Sequence, residues 1–241
     1  MPLTVLLAAG DHERWEALEE AMSSLSLRVQ RVETGEEALR ENAATPPGLV
    51  MVGTDLPDVH ALDICRRIRR DSDVPLIVLA SDACEFDRVL ALEVGADDVI
   101  CCDRGADELK ERMKAALRRG TGMEIERTEG EVLDFGNILV DRGQNRLVID
   151  GPGCDLTPME TELMWELAEH AGEVLESGEL LQRVWGYPPG LQTRTLDVHI
   201  GRLRKKLGED GRHPRHILTV RSVGYRFEPD GGGGEDDEVA A

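Results

Sequence analysis

Arg194-Thr-Leu-Asp-Val-His-Ile-Gly-Arg-Leu-Arg-Lys-Lys-Leu207 has the spacing of a helix with two unlike faces. At about 100° per residue, Leu196, Ile200, Leu203 and Leu207 fall on one side, and Arg194, Val198, Gly201, Arg202 and Lys205 on the other. The first face is a core stripe; the second is cationic with a small apolar notch. Between Arg194 and Arg226 nine Lys/Arg stand against three acids, +6 locally in a chain whose formal net charge is −20. A solvated surface helix tolerates some charge, but cations concentrated this way in an acidic protein suit a phosphate backbone.

The flanks extend that reading. Gly208 is a helix stop, and after a polar loop His216-Ile-Leu-Thr-Val-Arg-Ser-Val-Gly-Tyr-Arg-Phe227 places β-branched and aromatic residues on both sides of Ser222-Val-Gly224. This predicts a hairpin with Arg221 and Arg226 on its tip and arms. Upstream, Leu156-Thr-Pro-Met-Glu160 opens another helix: Thr157 suits the N-cap, Pro158 the first turn, and Glu160 completes a capping box. Val174-Leu-Glu-Ser-Gly-Glu-Leu-Leu-Gln-Arg-Val-Trp-Gly186 predicts a third, shorter helix capped by Ser177. Three helices and a basic hairpin are the layout of a winged helix-turn-helix, with one helix in the major groove and a wing arginine reaching a minor groove.

Residues 132–228 resemble the DNA-binding domain of OmpR/PhoB-family response regulators. The strings that carry the resemblance are Leu156-Thr-Pro, Glu162-Leu, Val184-Trp-Gly-Tyr187, Arg194-Thr-Leu-Asp-Val-His-Ile200, Arg202-Leu-Arg204 and Thr219-Val-Arg-Ser-Val-Gly-Tyr-Arg-Phe227. The resemblance implies that Val198 and Arg202 meet base edges, and that Arg194 and Thr195 meet backbone or bases. Thr219 would touch a phosphate, and Arg221 the minor groove. Where the family often carries a second arginine, this chain has Gly201; Lys205 is the nearest compensation. The loop 186–192, with Pro188-Pro189-Gly190, is implied to approach RNA polymerase.

Residues 3–119 alternate short apolar runs with helical patterns. Runs at 3–9, 27–32, 48–53, 75–80 and 98–102 predict five strands, and the segments between them predict helices. Such alternation gives a parallel sheet covered on both faces, flavodoxin-like, with any site at the carboxyl ends of the strands. The fold class is therefore α/β: a five-stranded parallel-sheet domain followed by a winged helix-turn-helix.

The first part resembles a receiver domain through Pro47-Gly-Leu-Val-Met-Val, Asp55-Leu-Pro57, Cys65-Arg-Arg-Ile-Arg69, Pro75-Leu-Ile-Val-Leu79 and Gly95-Ala-Asp-Asp98. A working receiver needs a nucleophilic aspartate, two acids that hold Mg²⁺, a hydroxyl and a lysine. The aligned positions here are Gly53 for the acceptor, Ala9 and Gly10 for the acids, Ala80 for the hydroxyl and Cys102 for the lysine. The proline after the lysine is Asp103, and the aromatic switch position is Val99. The near neighbours Asp11, Asp55 and Ser81 do not rebuild the set, and no lysine joins them. No cofactor or metal is expected, and no other catalytic constellation points to an enzyme.

The family's dimer face, by contrast, keeps its charges. Arg88, Glu93, Asp98, Glu108, Arg112 and Lys114 occupy the aligned positions, which implies a homodimer paired Arg88–Glu108, Asp98–Arg112 and Glu93–Lys114. Single surface pairs contribute little, about 0–1 kcal/mol; together they set a two-fold register.

At 241 residues the chain predicts two domains, read as 1–119 and 131–229 with a linker at 120–130 and a flexible acidic tail at 230–241. No apolar run approaches the ~18 residues of a membrane span, and 3–9 is short and lacks the basic leader of a signal peptide. Five cysteines (Cys65, Cys84, Cys101, Cys102, Cys154) suit a reducing cytoplasm. His213-x-x-His216 lacks companion ligands for a metal. The sequence thus describes a cytoplasmic regulator that binds double-stranded DNA as a dimer without aspartyl phosphorylation. Two alternatives stay open: a thiol or small-ligand sensor using the vacated pocket or Cys84 and Cys102, and a phosphorylated regulator with a relocated acceptor.

Overall fold

A computed structural model of the chain describes residues 3–10, 16–25, 27–80, 88–101, 106–120, 131–191 and 193–232. Two compact units, Met1–Met123 and Glu124–Ala241, divide it. In the first, β1 (Thr4–Ala8), β2 (Arg28–Val32), β3 (Leu49–Gly53), β4 (Leu76–Ala80) and β5 (Asp98–Cys101) form one parallel sheet in the order β2-β1-β3-β4-β5. Every residue of β3, β4 and β5 is buried, which is why these strands are unbroken apolar runs instead of alternating ones. At the edge, β2 reads Arg-Val-Gln-Arg-Val and is half-exposed.

Five helices cover the sheet: α1 (Glu16–Ser24), α2 (Gly35–Ala44), α3 (Ala61–Asp71), α4 (Arg88–Val94) and α5 (Ala106–Gly120). Alternate strand residues Val5, Leu7, Ala9, Leu49, Met51, Ile77, Leu79 and Ile100 face Leu18 and Met22 of α1 and Leu109, Met113 and Leu117 of α5. The remaining three helices pack side by side. Arg69 locks α3 to the sheet: it donates to Gly95 O, Ser72 O and Val74 O and pairs with the buried Asp97 at 2.8 Å.

The second unit begins with an antiparallel meander, β6 (Val132–Asp134), β7 (Ile138–Asp141), β8 (Arg146–Ile149) and β9 (Gly153–Asp155). Three helices follow, α6 (Pro158–Glu169), α7 (Ser177–Trp185) and α8 (Thr195–Lys206). The predicted capping box is present on α6, with the Thr157 side chain accepting from Glu160 N at 3.3 Å and Glu160 Oε2 from Thr157 N at 2.9 Å. The start of α7 differs from expectation. Residues Val174–Glu176 form a strand, β10, and the N-cap is Glu176 with no side-chain bond, so Ser177 is the first helical residue and caps nothing.

The hairpin is formed by β11 (Ile217–Val220) and β12 (Gly224–Phe227), with Ser222 at φ 63° in its turn. β10 pairs with the other side of β12, so the wing is a three-stranded sheet. That pairing depends on Gly224, because a Cβ there would collide with the carbonyl oxygen of Leu175. One core, including Trp185, Leu163, Leu203, Ile217 and Phe227, joins the meander, helices and wing.

Gly224→Ala is accordingly expected to push β10 from β12 and lower unfolding stability by about 3 kcal/mol, the upper range of overpacking costs, in urea denaturation followed by tryptophan fluorescence; an unchanged midpoint would contradict the close approach.

Candidate nucleic-acid interface and vacated pocket

The stripe predicted for α8 is buried as expected: Leu196, Ile200, Leu203 and Leu207 are each below a tenth exposed. His199 joins them, fully buried, edge-on to Trp185 at 4.9 Å and with its Nδ1 2.9 Å from Thr195 O. On the other face Arg194 and Lys205 are exposed, and Val198, Gly201 and Arg202 are half-exposed. A Cβ on Gly201 would meet nothing within 4 Å, so a longer side chain fits there. On the wing, Thr219 and Arg221 are exposed.

Thr195 does not belong with these surface groups. It is 2% exposed, and its hydroxyl is 2.8 Å from Thr193 Oγ1 and 3.3 Å from Tyr187 OH. The implied contact of its side chain with DNA is therefore corrected: the hydroxyl ties the helix start to the preceding loop.

The local charge count also overstates what the surface presents. Arg204 donates twice to Ile217 O, at 3.0 and 2.6 Å, and to Thr219 Oγ1 at 2.8 Å, and its guanidinium lies 5.9 Å from the centre of the Tyr225 ring. Burial pulls its pKa below the usual arginine value. Lys206 donates to Asp155 O at 2.7 Å and Glu160 Oε2 at 2.6 Å, and Arg226 pairs with Glu228 at 2.8 Å. Arg204 and Lys206 tie α8 to other parts of the domain, whereas Arg226 is neutralised by a neighbour two residues along the chain. Periodicity could not separate Arg204 and Lys206 from Arg202 and Lys205, because their partners lie on other elements.

At the carboxyl edge of the parallel sheet, Ala9 follows β1, Gly53 ends β3 and Ala80 ends β4; Ala9 and Ala80 are fully buried. Gly10 is exposed. Cys102, the expected lysine position, lies outside the described residues, as do Asp11, Ser81, Cys84 and Asp103. The acceptor's space is taken by a neighbour. A Cβ on Gly53 would come 2.5 Å from Asp55 Oδ1, and one on Gly10 would come 2.8 Å from Asp55 O. Thr54 N donates to Leu79 O at 3.0 Å and fixes the chain as it leaves β3. Further along, the Asp58 carboxylate accepts from Glu36 N at 3.0 Å and Gly35 N at 2.7 Å, bonds that hold its pKa below the ordinary carboxylate value. The loop is thus pinned over the pocket at one end and onto the start of α2 at the other.

The predicted dimer charges are arranged within one chain. Asp98 and Arg112 pair at 3.3 Å with both side chains below a tenth exposed, and Asp98 Oδ1 also accepts from Val99 N at 2.7 Å. Both groups thus have a partner within the protomer, and breaking a buried pair costs about 3–5 kcal/mol. Lys114 pairs with Glu111 of its own helix at 2.6 Å, Arg88 donates to Cys101 Sγ, and Glu93 is exposed. The side chain of Glu108 lies outside the described residues.

Among the described residues one His/Glu group, Glu166, Glu169 and His170, gathers three ligand atoms within 4.8 Å. Arg183 already lies 3.2 Å from Glu166 Oε2 and 3.4 Å from His170 Nε2, so Glu166 has a cationic partner within the chain. His216 Nδ1 is 2.9 Å from Glu228 O, and His213 is exposed. No described helix is long and apolar enough to cross a membrane.

A doubly wound unit followed by a meander, three helices and a wing defines a two-domain transcription regulator. Residues 5–114 match the response regulator receiver domain, and residues 151–227 match the C-terminal domain of transcriptional regulatory proteins. The transcriptional regulatory protein KdpE of Mycobacterium tuberculosis is 35% identical over 227 residues, covering 94% of this chain and all of the relative. The sensory transduction protein RegX3 of Mycolicibacterium smegmatis is 36% identical over 194 residues, 80% of this chain and 85% of the relative. A solved structure of a RitR mutant is similar with a TM-score of 0.66 at 25% identity, covering 94% of this chain and 99% of that one. The chain belongs to the response regulators of OmpR/PhoB type.

If Asp55 fills the acceptor's space, Gly53→Ala should destabilise the wild-type background by about 1 kcal/mol more than it does in Asp55→Ala, measured as a coupling energy in a double-mutant denaturation cycle. Additive effects would contradict the contact.

Proposed function

We propose that this response regulator reads specific DNA as a dimer and does so independently of aspartyl phosphorylation. What carries the proposal is the sheet edge: glycine and alanine stand at the acceptor, acid and hydroxyl positions, and the Asp55 carboxylate lies against Gly53. The aligned positions for the acids that would hold Mg²⁺ beside it are Ala9 and Gly10, so those positions supply no metal to neutralise the charge that develops in phosphoryl transfer. The relocated-acceptor alternative is weakened for the same reason.

Residues 1–119 act in this reading as a pseudo-receiver for assembly, 120–130 as a linker, 131–229 as the DNA-reading domain and 230–241 as an acidic tail, in the cytoplasm. Arg202 and Val198 meet base edges, Arg194 the backbone or bases, Lys205 and Thr219 the backbone, and Arg221 a minor groove. Dimerisation is typical of the family, and here it rests on Glu93, Arg88, Lys114 and Glu108 more than on the internally closed Asp98–Arg112 pair. RNA polymerase is a further partner through 186–192, where Pro188, Pro189 and Gly190 are exposed. The thiol-switch alternative rests on Cys84 and Cys102, which lie outside the described residues.

The test is selection of a duplex from a random pool, then fluorescence anisotropy across a salt series. Arg202→Ala is expected to relax preference at one base position by about 1–3 kcal/mol while leaving the other positions unchanged. Unchanged discrimination at every position would remove Arg202 from the reading set, and binding without salt dependence would remove DNA as the partner.

A further inference from the structure

Asp197 is an acid in the first turn of the helix that the DNA proposal places in the major groove, where a carboxylate repels phosphates. A favourable helix-dipole contribution alone explains an acid at this position, but not what its two oxygens do. Oδ2 pairs with Arg194 Nε at 3.0 Å, with the side chains 46% and 71% exposed. Oδ1 accepts from Tyr225 OH at 2.8 Å. Tyr225 belongs to β12 of the wing and is 7% exposed, and its ring lies beneath the Arg204 guanidinium that also holds Ile217 O and Thr219 Oγ1. Burial, and then the bond to Asp197, push the Tyr225 phenol well above its ordinary pKa, so it keeps the proton it donates.

We propose that Asp197 is a positioning residue for DNA reading: it aims the Arg194 guanidinium and ties the start of α8 to the wing through Tyr225. One chain of contacts then runs Arg194–Asp197–Tyr225–Arg204–Thr219. It connects an exposed cation on the helix to an exposed hydroxyl on the wing, so both present to one duplex in fixed register. The carboxylate trades some attraction for phosphates against orientation, and orientation discriminates between sequences. This inference rests on the DNA-binding reading above.

Full-length wild type, Asp197→Ala, Asp197→Asn and Tyr225→Phe would be titrated by anisotropy against the selected duplex and a scrambled duplex of equal length. For Asp197→Ala the scrambled duplex is expected to bind as well as before or a few-fold tighter, since a negative charge near phosphates is gone. The selected duplex binds more weakly, so the selected-to-scrambled ratio falls about tenfold, the scale of one misplaced base-edge contact. Tyr225→Phe keeps the ring and every charge and lowers the ratio about threefold with no gain on the scrambled duplex. Asp197→Asn, which keeps an acceptor for Tyr225, falls between wild type and Asp197→Ala. An equal gain on both duplexes in Asp197→Ala, with Tyr225→Phe unchanged, would overturn the inference in favour of plain charge. A parallel loss on both duplexes in Asp197→Ala and Tyr225→Phe would overturn it in favour of folding. Wild type that prefers no duplex and ignores salt would overturn the DNA-binding reading, and this inference with it.

Discussion

The guanidinium of Arg204 is the constraint on which the DNA-reading half of the molecule depends. A helix and a hairpin can face one duplex only if their separation is fixed, and Arg204 bridges them by donating to Ile217 O and Thr219 Oγ1. Partly desolvated and engaged by neutral acceptors, it contributes charge to the fold more than to the surface. Gly224 completes the arrangement by letting β10 approach β12 closely. The proposed reading surface is then left to Arg194, Val198, Arg202 and Lys205 on the helix and Thr219 and Arg221 on the wing.

The receiver is built on an intact scaffold with a different occupant at its functional edge. The sheet order, the Arg69–Asp97 lock and the α2 cap by Asp58 are all in place. At the strand ends positions 10 and 53 are glycines, and Asp55 lies where a Cβ on either would fall. The same economy of charge appears at the proposed dimer face, where Asp98 and Arg112 close on each other within one chain.

Much of this was legible in the amino-acid order. The five strands were readable because buried parallel strands are continuous apolar runs, and α6 because Thr157, Pro158 and Glu160 form a local signal. The core stripe of α8 followed from helical period alone. The meander strands β6–β9 and the strand β10 were not legible: at three or four residues each, their pairing partners decide them more than their own composition. Ser177 looked like a cap because a serine preceded an apolar pattern, but three-residue pairing to β12 took the segment before it. Thr195, assigned to DNA by resemblance, turns inward because Tyr187 and Thr193 offer its hydroxyl partners. The internal duties of Arg204 and Lys206, and the place of Asp55, follow from loop paths that no short-range pattern encodes.

The central claim is that DNA reading is uncoupled from phosphoryl chemistry at the receiver edge. The most direct measurement is anisotropy of full-length protein on its selected duplex, with and without Mg²⁺ and beryllium fluoride. The account predicts superimposable isotherms, equally salt-dependent. A clear gain in affinity on adding the mimic would contradict it and would make Asp55 a working acceptor.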